Sequence, residues 1–221
     1  MTFWDWSFAG EILPLLLHAS LVTLEATILG FAIAAVLGLA FAIGRMYGPP
    51  WLSVPLVGLI EFIRSTPLLI QIFFIYFVFP EFGVVLGAMT AGVLALGVHY
   101  ATYASEVYRA GLANIQRGQW EASIALNLTP YHTFRDVIIP QAIPPVVPAL
   151  GNYLVALFKD TPLLSAIGVL ELMQTAKIIG SDTFRYIEPI TMVGAIFLIF
   201  SLVAAALIRI VEAWLNRRIV H

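Results

Sequence analysis

The chain has 221 residues, of which 61% are hydrophobic and only 11% are charged, and its net charge is −2. Soluble domains carry about 25% charged residues, so this composition excludes a water-soluble fold and indicates an integral membrane protein. The slightly negative charge argues against nucleic acid as a partner, and the absence of cysteine excludes disulfides and thiolate metal sites.

The N-terminal segment combines aromatic and acidic residues. Trp4, Trp6 and Phe8 flank Asp5. This pattern is typical of an anchor at the outer membrane interface, and an ordinary frayed terminus fits the same residues. The segment has neither a basic region nor a small-residue cleavage site, so we expect no cleaved signal peptide.

Five apolar segments are long enough to cross a bilayer, for which about 20 residues suffice. We therefore predict a single all-helical membrane domain over residues 1–221, with a polar loop at about 115–140. The predicted spans cover residues 15–45, 51–79, 82–108, 137–164 and 189–214.

The cations of the chain cluster on one side of this arrangement. The positive-inside rule therefore places the N-terminus outside, and the polar loop and the C-terminus in the cytoplasm. The clustered cations are Arg45, Arg109, Arg117, Arg135, Arg209, Arg217 and Arg218.

The second segment carries charges beside a helix break. Glu61 and Arg64 are three residues apart, so they share a helical face and could pair. Pro67 interrupts the helix directly after Thr66. Such residues indicate a face that meets protein or water rather than lipid. Both a structural ion pair near the inner interface and a role in a solute pathway fit this pattern.

The third segment carries a polar stripe. His99, Thr102, Tyr103 and Glu106 recur at the spacing of one helical face. In a membrane such a stripe faces the interior of the bundle. A lone histidine is usually a hydrogen-bonded core residue, so we predict no metal site.

Prolines crowd the first half of the fourth segment. Pro140, Pro144, Pro145 and Pro148 predict a distorted start, with regular helix only from Ala149 onward.

Polar residues close the fourth segment. Asn152, Lys159 and Asp160 would line a cavity if they lie deep, and would form an outer surface if they lie shallow. The residues after them predict an amphipathic external helix that contains Ile167, Leu170 and Ile178 and stops at residues 180–182.

The most polar interval of the chain predicts two short helices joined by a tight turn. Residues 119–126 favour helix. Asn127 tolerates the left-handed conformation that ends a helix. Thr129 and Pro130 are the expected N-cap and first residue of a second helix, which should end near Pro140.

The first of these helices has features of a docking surface. Trp120, Ile124 and Leu128 recur every four residues as an apolar ridge. Ala122 and Ser123 are small, which would let another backbone come close.

This interval resembles the EAA loop of the membrane subunits of binding-protein-dependent ABC importers. That loop contains Glu-Ala-Ala, a Gly four residues after the second Ala, and a later Leu-Pro. Here Glu121 and Ala122 match, Ser123 replaces the second Ala, Asn127 replaces the Gly, and 139–140 read Ile-Pro.

The wider sequence resembles the polar-amino-acid branch of these permeases. The matching stretches cover residues 64–71, 106–111, 118–121 and 159–163. Within this branch, residues 99–103 and 125–128 look most like the ectoine/hydroxyectoine permease subunit.

The resemblance implies a permease of the bacterial inner membrane. Its partners would be an ABC ATPase dimer, a second permease (a related chain or a second copy), a solute-binding protein and a small zwitterionic solute. The chain lacks G-x-x-x-x-G-K-[ST], so ATP and Mg should bind the ATPase, and we expect neither a cofactor nor an enzymatic activity here. The residues implied in ATPase coupling are Gly118, Trp120, Glu121, Ala122, Ser123, Ile124, Asn127 and Leu128.

A zwitterionic solute needs an anion for its amino group and a donor for its carboxylate. Ectoine or hydroxyectoine is the implied solute, with histidine, glutamine, glutamate or arginine as alternatives. A secondary transporter usually carries repeats, and an intramembrane enzyme needs paired catalytic groups. We find neither feature. The candidate pathway residues are Glu61, Arg64, Thr66, His99, Tyr103, Asn152, Lys159 and Asp160.

Overall fold

The computed structural model describes residues 4–217, and these residues form helices with no strand among them. Arg218, one of the predicted cytoplasmic cations, lies outside the described residues. The α-helices are α1 (Trp6–Tyr47), α2 (Pro50–Ser65), α3 (Leu68–Phe73), α4 (Ala88–Ala113), α5 (Arg117–Ala125), α6 (Pro130–His132), α7 (Ile139–Asp160), α8 (Leu172–Thr183) and α9 (Ile187–Arg217).

Helix α1 begins well before the predicted first span. Asp5 caps it, because its carboxylate accepts hydrogen bonds from the backbone amides of Ser7 at 2.9 Å and Phe8 at 3.2 Å. The helix continues for 42 residues and contains Pro14. It is therefore about 63 Å long. A bilayer with its headgroups is about 40–45 Å thick, so α1 must tilt or project from it.

Small residues let α1 and α4 approach each other closely. A Cβ atom on Gly38 would lie 2.6 Å from Cβ of Ala104, and one on Gly97 would lie 2.6 Å from Cγ2 of Ile33. Backbones can come this close in a membrane only where side chains are minimal. The small buried residues of α1 along this contact are Ala26, Gly30, Ala34, Gly38 and Ala42.

The second span is broken where Pro67 predicted a break. Helix α2 ends at Ser65, and α3 starts at Leu68. The chain then continues as a π-helical turn and a 3₁₀ turn to Phe82. The chain bends by 105° between the two halves, Pro50–Ser65 and Leu68–Phe82.

The prediction for the proline-rich segment is wrong in two respects. The helix that starts at Pro130 does not end near Pro140, and α7 is helical through its prolines rather than only from Ala149. Distortion occurs earlier, in the π-helical stretch Thr133–Ile138. Pro140, Pro144 and Pro148 are four residues apart, and Pro145 lies about 100° from Pro144, so the missing hydrogen bonds are confined to one side of the helix and the other side stays bonded.

The external helix ends one residue after the predicted stop at residues 180–182. Helix α8 passes through Gly180 and ends at Thr183, before Phe184 with a left-handed φ of 55°. Gly180 serves packing rather than a turn, because a Cβ atom there would lie 2.5 Å from the ring of Tyr186.

Within the described residues, three helices are long and apolar enough to cross a membrane: Trp6–Tyr47, Pro130–Ile167 and Ile187–Leu215. The bent pair Pro50–Ser65 and Leu68–Phe82 makes a fourth if it counts as one span. Helix α4 is not among them, because its polar stripe lowers its hydropathy. Much of α4 is nevertheless buried, with Ala91, Leu96 and Ala101 fully enclosed.

Candidate functional site

The polar stripe of α4 faces the inside of the molecule, as predicted. His99 and Thr102 are buried, and Tyr103 and Glu106 are half-buried. The stripe leads from the middle of α4 towards its C-terminal end, where Glu106 meets several arginines.

An aspartate and a tyrosine cluster lie beside this stripe. The hydroxyl of Tyr100 donates a hydrogen bond of 2.6 Å to Oδ2 of Asp160. The rings of Tyr103 and Tyr153 pack at a tilt with centroids 5.4 Å apart, and the ring centroid of Tyr153 lies 6.4 Å from that of Tyr100. Asp160 therefore points towards α4, where Tyr100 belongs to a cluster of three tyrosine rings.

Asn152 and Lys159, by contrast, are exposed. Lys159 borders a cavity of about 280 Å³ together with Pro162 and Phe197. Lys159 and Asp160 are neighbours in sequence, but their side chains point about 100° apart on the helix. Lys159 therefore faces the exposed side of α7, whereas Asp160 faces Tyr100. Tyr100 and Tyr153 were not predicted as site residues. The spacing of Tyr100 to Tyr103 on one helical face was the available signal.

Glu61 and Arg64 form the predicted pair, with Nη2 of Arg64 2.7 Å from Oε1 of Glu61. They extend a larger cluster around Glu106. The carboxylate of Glu106 lies 2.7 Å from the guanidinium of Arg45 and 2.9 Å from that of Arg109. The guanidinium of Arg64 lies 3.9 Å from it. The cluster joins α1, α2 and α4, which supports the structural interpretation of the Glu61–Arg64 pair. A cavity of about 630 Å³ opens beside it, between α4 and α7.

Gln71 is a further residue that the sequence interpretation missed. Its side chain binds Thr66 through the amide nitrogen and His99 through the amide oxygen. Two predicted pathway residues, from different helices, are thereby connected through one glutamine.

The polar loop forms the predicted helix–turn–helix. Asn127 adopts a left-handed φ of 51° just after α5. The backbone amides of Asn127 and Leu128 bind the carbonyls of Ile124 at 2.9 Å and Ser123 at 3.0 Å, which is the paired closure of a Schellman motif. Thr129 caps the next helix through a 3.4 Å contact with the amide of His132.

The surface of this hairpin differs from the predicted ridge. Trp120 packs edge-on against Phe134 at 5.4 Å, so it faces the chain itself. Leu128 lies beyond the end of α5, in the turn, so it does not continue the helical ridge. Ser123 is buried, and its hydroxyl binds the carbonyl of Gln119 at 2.8 Å, so it cannot act as a small contact residue. The ridge of Trp120, Ile124 and Leu128 was predicted on a helix one turn longer than α5, which ends at Ala125.

The hairpin exposes large apolar side chains among its polar ones. The side chain of Ile124 is 77% exposed and that of Leu126 is 74% exposed. Gly118 and Ala122 are also exposed. Glu121 adds one charge, which pairs with Arg117 at 3.1 Å on the helix surface. The hairpin thus presents several large apolar side chains, among them Ile124, Leu126, Leu128 and Tyr131, beside the small Gly118 and Ala122.

Known proteins match nearly the whole chain. Residues 34–217 match the family described as "Binding-protein-dependent transport system inner membrane component". The probable amino-acid ABC transporter permease protein y4tG of Sinorhizobium fredii is 51% identical over 212 residues, which cover 96% of this chain and 92% of that protein. The glutamine transport system permease protein GlnP of Escherichia coli is 35% identical over 212 residues, covering 94% and 96%.

A solved structure extends the match to three dimensions. It is described as an amino acid ABC transporter with histidines, and it has a TM-score of 0.90 at 36% identity, covering 96% of this chain and 99% of the other. The fold, the hairpin and these matches lead to one conclusion. The chain belongs to the amino-acid ABC transporter permeases among the inner membrane components of binding-protein-dependent transport systems, lies in the bacterial inner membrane, and depends on a separate ATPase subunit.

Proposed function

We propose that this permease forms the path for a zwitterionic amino acid, or an amino-acid derivative such as ectoine, and moves it by ATP-driven alternating access. The observation that carries the proposal is the carboxylate of Asp160 beside the ring cluster. Its hydrogen-bond partner is the Tyr100 hydroxyl, and none of the ion pairs in the described part of the chain involves it. A carboxylate inside a bundle is costly without a cation, so this position suits a solute that brings one.

The aromatic cluster suits the same solute group. The rings of Tyr100, Tyr103 and Tyr153 can contact an ammonium or an amidinium through cation–π attraction. Lys159 is a candidate donor for the solute carboxylate at another point along the path, because it lies on the exposed side of α7, away from Asp160. Asn152, seven residues earlier on the same face of α7, could add a hydrogen bond.

The choice of solute class rests on two supports. The relative GlnP is named for glutamine, and the similar solved structure is described with histidines. Ectoine rests on the resemblance of residues 99–103 and 125–128 to ectoine permeases. Histidine, glutamine, glutamate and arginine are the alternative solutes.

The proposed assembly contains four kinds of subunit or ligand. The ATPase dimer would bind the hairpin of α5 in the cytoplasm. The residues at or near this contact would be Glu121, Ala122, Ile124 and Asn127. A second permease would complete the path, as a related chain or a second copy, and a solute-binding protein would deliver the solute to the outer side. We propose five spans, with the N-terminus outside. Helix α4 would be one of these spans, surrounded by protein rather than by lipid.

Uptake by the reconstituted complex tests the proposal. The permease, its partner permease and the ATPase are placed in vesicles, and uptake of ectoine, histidine, glutamine, glutamate and arginine is compared with the binding protein present. We expect ATP-dependent uptake of at least one of them. Uptake that continues without the ATPase would instead indicate a secondary transporter, and no uptake of any of these zwitterions would contradict the proposed solute class.

A further inference from the structure

The break in the second span exposes backbone carbonyls that a regular helix would satisfy. Pro67 has no N–H, so the carbonyl of Ile63 loses its helical partner. Two groups of Thr66 approach the Ile63 carbonyl instead. The backbone amide lies 3.3 Å from it, and the side-chain hydroxyl lies 3.0 Å from it. The carbonyl of Thr66 itself lies at the bend. Inside a membrane such groups need partners within the protein.

Gln71 supplies these partners, and its orientation follows from them. Its amide nitrogen lies 2.6 Å from the carbonyl of Ile63, 3.1 Å from the carbonyl of Thr66 and 2.7 Å from the Thr66 hydroxyl. Carbonyl oxygens only accept hydrogen bonds, so the group that faces them must be the NH₂ of the glutamine. The amide oxygen Oε1 therefore points away from the bend.

This orientation determines the tautomer of His99. Oε1 of Gln71 lies 3.1 Å from Nδ1 of His99. The oxygen can only accept, so Nδ1 must carry the hydrogen and donate it. A neutral imidazole then keeps its other nitrogen, Nε2, as an acceptor. Within the described part of the chain, Nε2 makes no hydrogen bond of its own.

We propose that Gln71 is a positioning residue for transport: it fixes the bend between α2 and α3, ties that bend to α4, and makes His99 a hydrogen-bond acceptor. The contacts span two connections along the chain, from α2 to α3 and from α3 to α4. The bend and the polar stripe of α4 therefore form one hydrogen-bonded unit that moves together during transport.

As a hydrogen-bond acceptor, His99 is not the donor that a solute carboxylate needs. A neutral Nε2 accepts a hydrogen bond from a solute N–H or O–H and does not attract a carboxylate. This part of the inference rests on the proposed function, because it concerns the solute. The fixed bend does not depend on which solute is carried.

Two matched substitutions at His99 separate the hydrogen bond from mere volume. The amide nitrogen of an asparagine can take the place of Nδ1, whereas that of a glutamine takes the place of Nε2. His99→Asn therefore keeps the donor to Gln71, and His99→Gln loses it. Gln71→Glu is nearly isosteric, but its carboxylate places acceptors against the acceptors at the bend. The exposed His18, changed to Gln, is the control.

The bend is measured by the distance between two spin labels. The chain has no cysteine, so Val57→Cys and Phe77→Cys, at exposed positions on either side of the break, place one label on each half. The assembled complex, with cysteine-free partner subunits, is measured in nanodiscs by pulsed electron resonance. We expect a narrow distance distribution in the unsubstituted protein, His99→Asn and His18→Gln, and a broad or shifted one in Gln71→Glu and His99→Gln.

Uptake in vesicles completes the test. The kcat of uptake should fall about tenfold or more in Gln71→Glu and His99→Gln, the size expected for loss of a buried hydrogen bond, and less in His99→Asn. Equal behaviour of the two His99 variants, or an unchanged distance in Gln71→Glu, would overturn the proposal. Altered label distances with an unchanged kcat of uptake would overturn the claim that the bend matters for transport. Altered distances in a complex that imports none of the tested zwitterions would refute the proposed function and leave the fixed bend standing.

Discussion

Tyr100 donates its hydroxyl hydrogen to Asp160 at 2.6 Å, and this contact joins α4 to the end of α7 across 60 residues of sequence. The aspartate is consequently turned towards the ring cluster rather than towards the exposed side of α7, where Lys159 lies. A solute cation that approaches Asp160 would meet a carboxylate with one of its acceptor positions already occupied.

Tyr100→Phe should weaken solute binding without unfolding the protein. It removes one hydrogen bond to a carboxylate, for which about 1.5–3 kcal/mol is typical, so we expect the KM of uptake to rise about tenfold or more. Asp160→Asn should do more damage, because it removes the charge. The control is Tyr186→Phe at an exposed position. An unchanged KM in Asp160→Asn, in a complex that assembles normally, would remove this residue from the pathway.

Ile124→Asp should abolish binding of the ATPase and leave the permease stable. The side chain is 77% exposed, so its replacement should change the free energy of unfolding by no more than about 0.5 kcal/mol. Copurification of the ATPase measures the effect, and Glu121→Lys should act in the same direction. Val85→Asp, at a similarly exposed apolar position in the loop before α4, is the control. Normal copurification of the ATPase with Ile124→Asp would exclude this surface as the docking site.

Glu106 and Arg45 should be strongly coupled in stability. The side chain of Arg45 is only 10% exposed, so loss of its partner leaves a largely buried charge unpaired. We expect a double-mutant cycle of Arg45→Met and Glu106→Gln to give a coupling energy of about 1–3 kcal/mol. The exposed pair Arg117–Glu121, at 91% and 65% exposure, is the matched comparison and should give at most about 1 kcal/mol. Equal coupling in both cycles would contradict the role of burial.

Glu171 should make stability depend on pH. It caps α8 from a fully buried position, and its carboxylate accepts from the amides of Met173 and Gln174. Burial raises the pKa of this carboxyl above its usual 4.5, against the opposing effect of the two amides. Its contribution is thus complete below pH 4.5 and is lost as the pH rises through the raised pKa.

Glu171→Gln keeps an acceptor and cannot ionise, so it isolates this effect. We expect the Tm of the unsubstituted protein to decline relative to the Tm of the variant as the pH is raised from about 4.5 to 7. The two proteins are compared in the same detergent by differential scanning fluorimetry. Parallel Tm curves across this range would show that the carboxyl does not titrate there.

Local features of the fold could be predicted from the sequence because their causes lie within a few residues. The left-handed Asn127, the cap at Thr129 and the pair of Glu61 and Arg64 all depend on neighbours one helical turn away or less. The break at Pro67 follows equally from the missing N–H. These features needed no knowledge of the tertiary structure.

The errors have tertiary or cumulative causes. Gly180 is typical of a helix stop, but here its small size accommodates the ring of Tyr186. The prolines of α7 were treated one by one, whereas three of them share a face. The long-range contacts of the site could not be predicted from local sequence either. Gln71 and His99 lie 28 residues apart in the chain, and Tyr100 and Asp160 lie 60 apart.

The close seam between α1 and α4 restricts how the bundle can change shape. Where Gly38 meets the backbone of Ala101 and Gly97 meets that of Gly30, a Cβ atom on either glycine would come within 2.9 Å and 3.2 Å of a carbonyl oxygen. Neither helix can roll or ratchet past the other without a collision of main chains. Helices α1 and α4 should therefore behave as one rigid unit, so a change in the shape of the bundle has to come from helices that move relative to this pair.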